Sequence, residues 1–175
     1  MSALDAFMSV WSKARAAFGE GSPVEGVEFD KSAQFQDLHD TVRTAVPDEH
    51  WTGGAADSYA DKNSAHAAQL GRMAELDKRL AIEVDRSAAV VAAGRRELDQ
   101  VKQWVADASA DLPQNAAGHH KLWSIVSKGS GDVADILQRS HTDMTAISNR
   151  IQGLGNEWDE LRDKELRGPV GPDTP

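Results

Sequence analysis

The sequence predicts an all-α protein: an elongated antiparallel helical bundle built on two long helices, with two shorter N-terminal helices. Three observations carry that expectation. Apolar residues recur at every third or fourth position in four separate segments. Glycine and proline gather between those segments, and no run alternates apolar and polar residues as a strand would. Gly19, Gly21, Pro23 and Gly26 close the first segment, Pro47, Gly53 and Gly54 the second, and Pro113 and Gly118 the third.

The first helix is expected from about Ser2 to Phe18, where Leu4, Phe7, Trp11, Ala14 and Phe18 share one face. The second, near Lys31 to Val46, repeats the pattern with Phe35, Leu38, Val42 and Ala45. Each has one apolar face that must find a partner. The third runs from about Gly54 to Leu112, on the order of 85 to 90 Å at 1.5 Å per residue. Its register of seven, Leu70, Asp77, Val84, Val91, Leu98, Val105 and Leu112, is apolar except at Asp77. A companion register of Tyr59, His66, Met73, Leu80, Ser87, Gly94, Val101 and Ala108 completes a coiled-coil seam, with small residues in its middle that admit another helix.

The same period returns from Gly131, where Val133, Ser140, Ile147, Leu154 and Leu161 interleave with Leu137, Met144, Ile151 and Trp158, and this helix is expected to end near Leu166. Between the long helices, "HHKLWSIVS" reads as a short helix or an irregular start, interrupted by the glycines of "KGSG". Residues 1–166 thus form a helical-bundle domain. The three prolines and two glycines of "GPVGPDTP" leave 167–175 as a flexible tail.

Composition narrows the chemistry. With 175 residues, the chain can bury one core without a metal or disulfide. It has no cysteine, which removes thiolate zinc sites and thiol nucleophiles. A net charge of -9 argues against a phosphate-binding surface, so no nucleic-acid partner is expected. No stretch approaches the ~20 apolar residues of a spanning helix. "MSALDAFMSVWSKARAAF" lacks a basic start and an unbroken apolar run, so the chain reads as made in the cytoplasm and, if exported, exported without a cleaved signal peptide.

His39, His50, His66, His119, His120 and His141 include no Glu-x-x-His or His-Glu-x-x-His pair, so no metal is expected. His66 falls on the seam as a packed neutral side chain, and His119 and His120 fall in a loop. "GEGSP" and "KGSGD" lack the Gly-Lys-Ser/Thr of a phosphate loop, and no Gly-x-Ser-x-Gly elbow occurs. Neither an enzyme nor a cofactor is expected. Trp11, Trp51, Trp104, Trp123 and Trp158, without basic interleaving, read as core or interface anchors rather than a base-stacking platform.

One stretch carries more than a turn. In "VPDEHWTGGAADSYADKN", Pro47 ends the second helix, Asp48 or Thr52 can cap the third, the glycines let the backbone reverse, and Trp51 plugs the open end between helices. Trp51, Gly53, Ala55, Ala56, Tyr59, Lys62 and Asn63, followed by "LGRMAELDKRLAIEVDRSAAVV", form a pattern that resembles the EspA/EspE-like proteins of mycobacterial type VII (ESX) secretion systems, distant relatives of the small Trp-x-Gly hairpin substrates. The resemblance runs from about Phe35 to Leu112. It implies export as a folded helical hairpin, with a smaller helical co-secreted protein and the secretion machinery or a chaperone as partners, and a role outside the cytoplasm in secretion or host interaction. Trp51 and Gly53 would form the turn, with Tyr59, Lys62 and Asn63 beside it as partner contacts. The related substrates commonly carry Tyr-x-x-x-Asp/Glu after the hairpin, whereas the one tyrosine here, Tyr59, is followed by Asn63 at that spacing. The export signal is therefore expected on a partner. An N-terminal trafficking module of a larger secreted effector and a cytosolic helical adaptor are the alternatives, and self-association is left open.

Overall fold

The computed structural model describes residues 2–45, 50 and 52–167. Val46, Pro47, Asp48 and Trp51, and the expected tail from 168 onward, lie outside the described residues. The order is α1 (Ala3–Ala17), a single 3-10 turn (Gly26–Glu28), α2 (Ser32–Thr44), α3 (Gly54–Ala110) and α4 (Ala116–Arg167), with no strand among the described residues. Two compact units share the long helices: one takes the chain up to Val24 with Arg86–Ile147, the other Glu25–Asp85 with the chain from Ser148.

In the first unit α1 begins on a reciprocal cap. The Ser2 hydroxyl accepts from the Asp5 amide at 3.1 Å, and the Asp5 carboxylate accepts from the Ser2 amide at 2.8 Å, which satisfies two donors the helix leaves open. Phe7 and Ala14 of α1 join Leu98 and Val105 of α3 and Val126, Val133 and Ile136 of α4 in one core. The Trp11 indole N–H donates to the Leu98 carbonyl at 2.7 Å, and the Lys102 ammonium sits 4.2 Å from its ring centroid. Phe18 lies against Gly94, where any side chain would collide with its ring. Small residues in the companion register thus do admit another helix. The Arg95 guanidinium then holds the end of α1, donating to the Phe18 carbonyl from Nε and Nη2 at 3.2 and 2.7 Å and to the Gly21 carbonyl. A cation at a helix C-terminus offsets the partial negative charge of its last carbonyls.

The connection to α4 corrects the sequence expectation. The helix starts at Ala116 rather than Gly131, and "KGSG" lies inside it. Asn115 starts it, its side-chain oxygen accepting from the Gly118 amide at 3.0 Å. His119 and His120 therefore stand in its first turns and not in a loop. Gly129 is kept for closeness: a Cβ there would lie 2.5 Å from Val105 Cγ2 and 3.1 Å from Phe7 Cε2. It marks where α4 presses on the core, not where the helix ends.

In the second unit α3 meets two neighbours on two faces. Toward α4, Leu76 packs with Leu154 and Leu161, with Met73, Leu80 and Trp158 around them. Glu83, 6% exposed, accepts from Arg150 Nε at 2.9 Å. Toward the N-terminal chain the face is small and acidic. Ala67, Ala74 and Ala81 are buried, the Asp85 carboxylate accepts from the Gly26 amide at 2.6 Å, and Asp77 accepts from the Lys31 amide at the start of α2. A side chain at position 26 would collide with the Ala81 carbonyl, so glycine there permits the contact.

Two contacts make the seam differ from the simple register. Asp77, the polar exception, is 9% exposed and caps a neighbouring helix, while the apolar contact with α4 moves to Leu76. On α2 the half-buried stripe is Ser32, Phe35, His39 and Val42; Leu38, expected on the apolar face, is 51% exposed. His66, expected to be packed, is exposed, because the seam ahead of Ala67 has turned toward α2.

Gly129→Ala should lower the denaturant midpoint, because overpacking costs about 1–3 kcal/mol and outweighs the gain of about 1 kcal/mol in helix propensity. Gly155→Ala, with nothing within 4 Å of the new methyl, should raise it. Equal shifts in the two urea titrations would contradict the packing described at Gly129.

Candidate functional site

The stretch singled out by its resemblance enters the second unit through the start of α3. Gly53 has φ 102°, in the left-handed region that glycine alone occupies at low cost. Its carbonyl then accepts the amides of Ala56 and Asp57 at 2.9 and 3.1 Å, which begins the helix. Ala56 is buried, Tyr59 is 40% exposed, and Lys62, three residues on and therefore on the same side of the helix, is exposed. Trp51 lies outside the described residues.

Asn63, four residues beyond Tyr59 and so also on that side of the helix, bonds to the end of α2. Its amide Nδ2 donates to the Val42 carbonyl at 2.8 Å and to the Ala45 carbonyl at 2.5 Å, at the end of α2, where helical donors run out and the Val42 carbonyl also takes the Ala45 amide at 3.3 Å. A residue singled out for partner contact thus has a role inside the chain: it fixes where α2 ends against α3. Among the expected residues, Tyr59 and Lys62 are exposed, and Asn63, one turn beyond Tyr59, is bonded to the end of α2.

Sequence reasoning missed the acids that complete this arrangement. Asp77 was visible as the break in an apolar register, the right signal without its cause. The Asp30 carboxylate accepts from the Ser32 amide at 2.9 Å, and the Ser32 hydroxyl, with that amide second, holds its pKa below the usual value. With Asp77 on Lys31, two carboxylates stand at the positive end of α2. His39 Nδ1 lies 2.8 Å from the Asp40 carboxylate, whose pKa the contact lowers.

Elsewhere the charged groups pair along the long helices. In the first unit, a groove of about 430 Å³ is lined by residues including Val101, Trp104, Asp135 and Ile136. Along it Lys128 binds Asp132 at 2.5 Å and Arg139 binds Glu97 at 2.8 Å, while Lys128 also covers the Trp104 ring at 4.7 Å. In the second unit, Arg79 grips Glu157 with two bonds of 2.8 and 2.9 Å. Such pairs describe solvated helix seams, in which the acids are engaged with cations. Among the described residues, no group of three or more His, Asp or Glu side chains is arranged to hold a metal ion, and no helix is long and apolar enough to cross a membrane.

Residues 18–100 match the EspA/EspE family. The matched span contains α2, the Gly53 turn and all of α3 up to Gln100, and it begins and ends earlier than the resemblance read from Phe35 to Leu112. No curated protein and no solved structure is found to be similar to the chain.

The Arg79 pair gives a pH signature. Its hydrogen bonds to Glu157 hold that carboxyl below its ordinary value of 4.5. A carboxyl with a lowered folded-state pKa stabilises the fold above its unfolded value, and that contribution disappears as pH falls through the folded value. Glu157→Gln should therefore melt lower than the parent at pH 7, with the gap narrowing as pH drops below 4.5. A gap that stays constant in thermal melts down to acid pH would contradict the pairing.

Proposed function

We propose that this chain is a non-enzymatic protein associated with a mycobacterial type VII (ESX) secretion system, acting through helical protein–protein contact. The match of residues 18–100 to the EspA/EspE family carries the reading. The all-helical architecture, with two long helices packed together, supports it.

In this reading α3 and α4 run antiparallel as a hairpin. Within the second unit, Gln69, Arg79 and Glu83 meet Leu161, Glu157 and Arg150 in turn, so rising numbers on one helix meet falling numbers on the other. In the first unit Ser87 and Glu97 meet Met144 and Arg139, in the same sense. Trp51 and Gly53 form the Trp-x-Gly turn, and Tyr59 and Lys62 present an exposed face to a smaller helical co-secreted protein or a chaperone. Asn63 belongs to the same motif and anchors the end of α2. The protein is made in the cytoplasm and acts in the cell envelope or outside it, with the export signal supplied by its partner.

Fractionation of the native cell tests this. The tagged chain should reach the culture filtrate or envelope fraction and be lost from it when the type VII machinery is inactivated. Retention in the cytosol of both strains would contradict the reading. Trp51→Ala should impair partner capture and export while the helical circular dichroism is kept; a loss of helix would mean that Trp51 serves the fold alone.

A further inference from the structure

The manner in which α2 is attached separates it from the rest of the second unit. None of its residues is buried. Its hold is concentrated at the ends, where Asp77 accepts from the Lys31 amide and Asn63 donates to the Val42 and Ala45 carbonyls. Between them, Phe35 meets the Trp158 ring at 6.0 Å between centroids, and His39 lies over Gly71, its Cδ2 3.6 Å from where a Cβ would be. Asn63, Gly71 and Asp77 thus mark one face of α3 as the bed of α2. By helical spacing the buried Ala67 and Ala74 lie on that face.

The contact between the long helices in the same unit is of another kind. Leu76, Leu154 and Leu161 are 3%, 5% and 7% exposed, and Glu83 and Arg150 reinforce them. A helix of 13 residues is marginal alone in water, so α2 depends on its bed. Segments with few buried apolar contacts open at lower free energy than the core that carries them.

We propose that α2 is a strap that lifts as one piece from α3 and α4 while the long helices of this unit stay paired, and that the two end clamps, Asp77 and Asn63, set how often it lifts. Opening uncovers Ala67, Ala74 and the Trp158 ring without breaking the Leu76 cluster. The inference stands on the packing alone and is independent of the secretion reading.

Amide hydrogen exchange on the full chain, followed by mass spectrometry of peptides, tests it. Amides of residues 35–44 should exchange about 100-fold or more faster than those of residues 73–83. Asp77→Asn and Asn63→Ala should each speed the α2 amides further, by about 10-fold, whereas Leu154→Ala, in the cluster between the long helices, should speed residues 73–83 and leave the α2 amides at their parent rate. Exchange of α2 at the rate of residues 73–83, with both speeding together in Leu154→Ala, would show one cooperative unit and overturn the proposal. A fast α2 that neither substitution alters would overturn the role of the clamps.

Discussion

The polar side chains that α3 extends to the ends of its short neighbours are the constraint on which both units depend. A helix end exposes amides or carbonyls without helical partners, and burying it against another helix is costly unless something meets them. In each unit α3 supplies the group of the right sign. Arg95 places a guanidinium on the closing carbonyls of α1. Asp77 places a carboxylate on the opening amide of α2, and Asn63 a neutral donor on its closing carbonyls. The hydrophobic contacts decide that α1 and α2 pack; these bonds decide where along α3 each one stops.

The small residues of α3 follow from the same arrangement. A backbone amide can reach a carboxylate on α3 only if the chain comes close. Gly94 gives Phe18 its space, Gly26 rests on the Ala81 carbonyl, and Gly71 lies under His39. Gly129 does the equivalent on α4, letting that helix settle on Val105 and Phe7. Glycine inside a helix costs about 1 kcal/mol relative to alanine, and here the close approach offsets it.

Where the apolar residues of an element enter a single core, the sequence period described it well. Val133, Ile147, Leu154 and Leu161 of α4 form an apolar register and are buried, as are Leu98 and Val105 of α3. The reading faltered where one helix meets two partners through separate faces. In the second unit a single seam of seven could not describe a face toward α4 and another toward α2, so His66 came out exposed and Leu76, outside both registers, became central. It also faltered where glycine had two meanings: "KGSG" resembled a break because sequence alone does not show what lies opposite Gly129. Of the candidate site, the Gly53 turn was legible from its glycines. The role of Asn63 was not, because its partners are main-chain carbonyls of α2, which carry no sequence signal.

The central claim is that Asp77 is a clamp rather than a flaw in an apolar seam, and Asp77→Leu separates the two directly. The substitution completes the register of seven and would strengthen a seam. If Asp77 instead caps α2, leucine leaves the Lys31 amide without its acceptor and should lower unfolding stability in urea by about 1–3 kcal/mol. A variant as stable as the parent, or more so, would contradict the account.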